Sequence, residues 1–163
     1  MTEPTTQPFD TRGFRNACGK FATGITVVTV EVNGEVHGMT ANAFMSVSLD
    51  PPLVVVSVGK KAHMHTFLAE CERFAISILN RDQEAYSGHF AGFGPKDFEP
   101  AFETRQDHPV IANAIAYFVT RLYAAYEAGD HTLYIGQVEY FESNEQAPIL
   151  YYVGKYRQIA AIV

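Results

Sequence analysis

The dipeptide Asn33-Gly34 constrains this chain more than any other feature, because of what flanks it. Before it runs Ile25–Val32, ITVVTVEV, β-branched through its core; after it runs a second extended stretch, Glu35–Thr40. Asn-Gly between two strand-like runs predicts a tight hairpin, because both residues of the favoured turn need positive φ and Asn and Gly tolerate it best. A chain that turns back on itself so early builds an antiparallel sheet, not a series of βαβ units.

The rest of the chain repeats this grammar. Leu53–Val58 (LVVVSV) is a short continuous apolar run, as expected of a strand buried on both faces, and Pro51-Pro52 ends whatever precedes it. Phe74, Ile76 and Ile78 alternate with Ala75, Ser77 and Leu79; His131–Phe141 alternates as well, and Ile149–Val153 and Tyr156–Ile159 read as a closing pair around Gly154. Helical spacing shows in Phe14, Ala17, Cys18 and Phe21, with Asp10 as cap and Gly24 as stop, and again in Met64, Phe67, Leu68 and Cys71. Asp82 is a candidate cap for a third helix ending near Ala91. Residues 92–109, rich in Gly, Pro and charge, read as a long surface excursion. Residues 111–128 are ambiguous: alanines and Leu122 favour helix, while Tyr117, Val119 and Tyr123 favour strand. Six or seven strands with three short helices predict a mainly β, antiparallel barrel with accessory helices. The 163 residues form one domain, 10–163, after a flexible N-terminal arm over 1–9.

Several function classes lose their footing. The formal net charge is -6 and no Lys/Arg cluster runs along any segment, so nucleic acid is not an expected partner. No apolar run reaches the roughly 18 residues that span a membrane. Met1–Pro8 lacks the basic start and apolar core of a secretion signal, so a cytoplasmic location is expected. Cys18 and Cys71 form no CxxC or Cys/His spacing, and His63-x-His65 diverges on a helix without a third ligand, so no metal is expected. His37, His89 and His108 receive no role from spacing. Rossmann, P-loop, nucleophile-elbow and zinc-protease motifs are all absent.

The informative stretch is Gly38–Pro52, GMTANAFMSVSLDPP. Thr40, Asn42, Ser46 and Ser48 alternate with Ala41, Ala43 and Val47, giving one polar and one packing edge. Small side chains let a flat ring approach the backbone, and hydroxyls and amides meet its polar rim. A barrel strand with a solvated face has the same pattern, and the residues alone leave both open.

This stretch resembles the flavin-binding segment of the short-chain flavin reductases, the reductase components of two-component phenol and 4-hydroxyphenylacetate monooxygenases. Residues 14–29 (FRNACGKFATGITVVT), 37–54 (HGMTANAFMSVSLDPPLV), 73–83 (RFAISILNRDQ), 89–92 (HFAG), 129–138 (GDHTLYIGQV) and 148–159 (PILYYVGKYRQI) resemble that family in order and spacing. The likeness is strongest to the FAD-containing reductases of bacterial phenol hydroxylases.

The resemblance implies a flavin-binding split barrel that works as a homodimer, with a strand leading into the Gly129-Asp130-His131 turn. It implies NADH as reductant, FAD (or FMN) as acceptor, and a separate flavin-dependent monooxygenase that receives reduced flavin. It assigns Thr40, Ala41, Asn42, Ala43 and Phe44 to the isoalloxazine and ribityl chain, and Ser46, Val47 and Ser48 to the next turn of that site. Lys60, Lys61, Ala62 and His63 fall to the flavin phosphate, at a helix start where free N–H groups and the dipole favour an anion. Phe90 and Ala91 form a further flavin-lining pair. His131 is singled out for turnover and nicotinamide binding, with Tyr151, Tyr152, Val153 and Gly154 as a second nicotinamide segment. His63 and His65 depart from the family, where Ser and Thr often stand. Two other readings share the barrel: a flavin carrier or sensor without catalysis, and an oxidase of a pyridoxine-type phosphate. An all-β protein holding some apolar ligand is a third.

Overall fold

The computed structural model describes residues 8–160. Most of the arm read over 1–9, and the last three residues of the domain read over 10–163, lie outside the described residues; Pro8 and Phe9 carry no regular structure. The elements in chain order are α1 (Thr11–Cys18), β1 (Thr23–Gly24), β2 (Thr26–Val32), β3 (Glu35–Ala41), β4 (Phe44–Leu49), β5 (Pro52–Gly59), α2 (His63–Glu70), β6 (Arg73–Ile78), α3 (Glu84–Phe90), β7 (Phe102–Arg105), β8 (His108–Ile111), β9 (Ala116–Ala128), β10 (His131–Ser143), β11 (Leu150–Tyr152) and β12 (Lys155–Arg157).

Asn33 and Gly34 adopt φ of 53° and 80°, the turn that their identities predict, and set the β2–β3 register from Val32↔Glu35 to Thr26↔Ala41. Seven strands form one antiparallel sheet in the order β3-β2-β6-β9-β10-β5-β4. The two edge strands, β3 and β4, are consecutive in sequence and joined only by Asn42 and Ala43. Three Cα–Cα steps of about 3.8 Å cannot span more than ~11 Å, so the sheet coils until its edges come together at this corner. No ladder joins those edges, so the mainly β expectation is met by an open, coiled sheet rather than a hydrogen-bonded closed barrel.

The core lies on both faces of β2 and β6. Val28, Val30, Phe74 and Ile76 face Val54, Val56, Val58 and Tyr134, and α2 covers this cluster with Met64 and Leu68. Ile25, Val27 and Ala75 face the other way, onto Tyr117, Val119, Val110 and Ile111. The second cluster corrects the reading of 92–109 as a surface excursion throughout: β7 and β8 form a hairpin that buries His108, Pro109, Val110 and Ile111 over the sheet.

The ambiguous segment 111–128 is strand over Ala116–Ala128, as the family resemblance implied, because it pairs with β6 on one side and β10 on the other. The first helix is shorter than its apolar spacing predicts. Asp10 caps it, accepting from the Gly13 amide at 2.8 Å, but it ends at Cys18 and not near Gly24. Thr23 and Gly24 are drawn into pairing with Tyr151 and Leu150 instead, which turns Phe21 out to solvent. At the third helix Gln83, not Asp82, is the N-cap: the Gln83 side chain is buried, accepting from the Asn80 amide and donating to the Ala112 carbonyl.

Candidate functional site

Three clefts that share lining residues form one groove along the edge corner of the sheet. The first, about 720 Å³, lies between β3 (Val36–Met39), the start of α2 (Ala62, His63, Met64, Phe67) and the end of α3 with the residues after it (His89–Gly92). The second, about 160 Å³, shares Ala91 with the first and adds Thr40, Asn42, Ser87, Tyr151 and Tyr156. The third, about 580 Å³, shares Asn42 and Tyr151 with the second and reaches Arg15, Asn16, Gly19, Val153 and Gly154.

Local chemistry shapes each part. At the α2 end, Ala62 is the N-cap in extended conformation and no side chain caps the first turn, which leaves the helix N-terminus open toward the groove. Gly38 lets the Phe90 ring lie on β3, since a Cβ at Gly38 would stand 2.5 Å from that ring. The Thr40 hydroxyl donates to the Ser87 carbonyl at 2.7 Å, and the Tyr156 hydroxyl donates to the Ser87 hydroxyl at 2.9 Å, so α3 is pinned at Ser87 to both β3 and β12. The hydroxyl proton of Thr40 is therefore spent within the protein, and only its lone pairs face a ligand. At the far end, Val153 and Gly154 turn with φ of 49° and 70°, and the Val153 amide donates to the Gly19 carbonyl at 2.9 Å. A β-branched residue is rare in this region of φ, and the Gly19 contact holds it there.

The structure gathers Thr40, Asn42, Ala62, His63, Phe90, Ala91, Tyr151, Val153 and Gly154 around this groove. It does not bring every proposed site residue into the groove lining. Ala41 and Phe44 pack into the core; Ala43, Ser46 and Val47 are exposed and Ser48 half-buried along the edge strand β4. Tyr152 faces solvent. Lys60 and Lys61 are exposed just before α2, and the Lys60 ammonium stands 3.4 Å from Glu127.

His131 stands apart from the groove lining, at the first position of β10, opposite Gly59 and two residues from the α2 cap by way of the Lys60 amide, which donates to the Asp130 carbonyl at 2.9 Å. Its Nδ1 is 2.7 Å from an Asp130 carboxylate oxygen. That hydrogen bond, with the charge of the imidazole, holds the Asp130 carboxyl below its ordinary range. The neighbouring Thr132 hydroxyl is 2.9 Å from Nε2 of His65, and the Tyr134 hydroxyl donates to the His65 carbonyl at 3.1 Å, so α2 is tied to the strand that carries His131. His65 thus serves as a tie within the protein.

Arg15 and Asn16 were missed by sequence reasoning. They sit in the quoted 14–29 segment, but only the Gly19–Val153 contact, which closes the chain end to end, brings them beside Tyr151. Among the described residues no group of three or more His, Cys, Asp or Glu converges as metal ligands, and no helix is long and apolar enough to cross a membrane.

Residues 18–160 match the family model of the flavin reductase like domain. An NADH-dependent flavin reductase from Rhodococcus sp is 43% identical over 148 residues, covering 89% of this chain and 84% of that protein. The reductase component of 4-hydroxyphenylacetate 3-monooxygenase from Thermus thermophilus is 40% identical over 147 residues, covering 90% of this chain and 95% of its own. Among solved structures, flavin reductase PheA2 in its native state superposes with a TM-score of 0.92 at 50% identity, covering 94% of this chain and 100% of that one.

Proposed function

The chain belongs to the flavin reductase like domain family, and from that premise we propose that it is an NADH-dependent flavin reductase, an oxidoreductase that delivers reduced FAD or FMN to a separate monooxygenase. The observation that carries this reading is the continuous groove from the open N-terminus of α2, over Phe90 and Ala91, past Thr40 and Asn42, to Tyr151 and the Val153–Gly154 turn. It is long, partly apolar, and has a site for negative charge near one end, which suits a flat ring joined to a phosphate.

A bound flavin supplies a ring that accepts hydride from the C4 of a nicotinamide and releases the two electrons later. The chain's own work is to position the two partners. In this reading Lys60, Lys61 and the first turn of α2 at Ala62 and His63 meet phosphate. Thr40, Asn42, Phe90 and Ala91 line the flavin within the groove, and Ala41, Ala43, Phe44, Ser46, Val47 and Ser48 support it from the adjoining corner and edge strand. His131 and the Tyr151–Gly154 segment receive the nicotinamide; with Nδ1 turned to Asp130, His131 has Nε2 left to hydrogen-bond a ligand. No protein nucleophile is required. The coiled sheet, on this view, acts as a split barrel, two copies form the working unit, and the protein works in the cytoplasm.

The test is the rate at which purified protein consumes NADH, with and without added FAD or FMN, read beside the visible spectrum. Flavin-dependent consumption is expected, and His131→Ala is expected to lower it by roughly 10²–10⁴-fold, the usual worth of a positioned proton-transfer group. A yellow protein that leaves NADH untouched would move the assignment to a flavin carrier.

A further inference from the structure

Helix α2 is held on the sheet by apolar packing: Met64 and Leu68, 3% and 0% exposed, bury its inner stripe in the core. One residue of its first turn, His65, makes two further bonds, both to β10. Its Nε2 hydrogen-bonds the Thr132 hydroxyl at 2.9 Å, and its carbonyl accepts from the Tyr134 hydroxyl at 3.1 Å. Thr132 and Tyr134 are buried and lie two apart on the same face of β10. Among the described residues the Thr132 hydroxyl has His65 as its hydrogen-bond partner and no other. A second fastening lies just upstream, where the Lys60 amide donates to the Asp130 carbonyl at 2.9 Å. Residues 60–65 are thus fastened at both ends to residues 130–132, and His131 stands between the two fastenings. Its ring lies over Gly59, where a Cβ would be 3.7 Å from Nε2.

We propose that His65 is a positioning residue for hydride transfer: its bond to Thr132 fixes the spacing between the open first turn of α2, assigned above to phosphate, and His131, assigned above to the nicotinamide. The inference rests on that reading of the two ends. Transfer between two bound rings requires their reacting atoms to be held at about 3–3.5 Å, and a misplacement of about 1 Å costs on the order of 10²-fold. A flavin anchored at α2 and a nicotinamide received at β10 are registered to each other through the protein between their sites. The Lys60 amide fixes one end of that frame and leaves the helix free to pivot about it. The His65–Thr132 bond, at the other end, removes the pivot. Thr132 is buried, so losing the bond leaves its hydroxyl without a partner, and the frame resists opening there. His65 is given no contact with either ring and acts through the frame alone.

The experiment compares the full-length protein with His65→Ala, Thr132→Val, the two combined, and His65→Gln. NADH consumption at saturating flavin gives kcat, quenching of flavin fluorescence gives the flavin Kd, and imidazole NMR of the flavin-free protein reports on the His131 ring. His65→Ala is expected to lower kcat by about 10- to 100-fold. Its flavin Kd is expected to move by less than about threefold, since the free N–H groups of α2 and both lysines are kept. The His131 resonances are expected to shift or broaden in the same variant, although His131 itself is unchanged. Thr132→Val is expected to reproduce the loss, and the double variant to be no worse than either single one, because all three lack the same bond. His65→Gln, whose amide both donates and accepts, is expected to recover most of kcat. Circular dichroism checks that each variant is folded. An unchanged kcat in His65→Ala would overturn the inference and leave the reductase reading standing. So would His131 resonances that stay in place, losses that multiply in the double variant, or a flavin Kd that weakens as much as kcat falls. An unmodified protein that consumes no NADH with either flavin would remove the reductase reading itself and this inference with it.

Discussion

His108 is 6% exposed and sits where β8 crosses the back of β2. Its Nε2 is 3.2 Å from the Thr29 carbonyl oxygen, so that nitrogen carries a proton and donates; the Thr29 hydroxyl in turn donates to the Pro109 carbonyl at 2.6 Å. Burial pushes the imidazole below its ordinary value, the bond to Thr29 pulls part of the way back, Arg73 lowers it further and Glu31 raises it. A folded-state value below the unfolded one means that the unfolded chain binds more protons in the window just under the ordinary histidine range. Stability from this group is therefore complete above about pH 6.5 and is lost as the pH falls below it. The urea midpoint of the native protein is expected to fall more steeply between about pH 7.5 and 5.5 than that of His108→Gln; parallel slopes would show that His108 does not charge on unfolding. At this scale some residues were legible from sequence and others were not. Asp10 acts as the cap its position suggests because the interaction is local. His108 could not be read, because its partner Thr29 is 79 residues away and nothing in the Gly- and Pro-rich run around it signals burial.

Elements follow from sequence when their determinants are adjacent in the chain. The β2–β3 hairpin is the clearest case, since the pairing register is set by two turn residues. A Cβ at Gly34 would meet nothing within 4 Å, so the cost of a side chain there is purely conformational, at φ of 80°. Gly34→Ala is expected to lower stability by about 1–2 kcal/mol, the penalty of an L-residue in the left-handed region. Gly24→Ala is the control: nothing stands within 4 Å there either, and its φ lies outside the left-handed range. Denaturant midpoints that moved equally in the two variants would mean that turn geometry does not carry the cost. Where tertiary pairing decides, the residues alone left an element open or misplaced its end. The Ala-rich end of β9 is strand because β10 pairs along nearly all of it, from His131↔Ala128 to Ser143↔Ala116. The end of α1 is lost because β11 claims Thr23 and Gly24. The groove shows the same division: Thr40, Asn42, Phe90 and Ala91 were singled out through family resemblance, whereas Arg15 and Asn16 join it only through the Gly19–Val153 contact.

At the scale of the molecule, the coiled sheet leaves one edge with an unusual surface. β4 pairs with β5 on one side only, and its outer side carries Met45, Val47 and Leu49, which are 60%, 44% and 93% exposed. An edge strand with free backbone donors and acceptors and apolar side chains is a template for uncontrolled pairing unless something covers it. Charged residues, the usual guard on such an edge, are absent from Phe44 to Leu49, and the irregularity between Ser46 and Ser48 interrupts the ladder only locally. The surface is compatible with a permanent partner, and the dimer proposed above supplies an identical one without requiring a second gene product. The prediction is a solution mass twice the 18.1 kDa of one chain. Met45→Lys combined with Leu49→Lys is expected to shift the protein toward monomer, as each places a charge where a partner would have to desolvate it. Both residues lie within the Gly38–Pro52 flavin segment without being proposed to touch the flavin, so a lower NADH turnover in the double variant reports a dependence on dimerisation only if it recovers at protein concentrations that restore the dimer. A native protein that sediments as a monomer at working concentration would mean that the β4 edge is covered by something other than a second copy, and the monooxygenase that takes up the reduced flavin would become the first candidate to test.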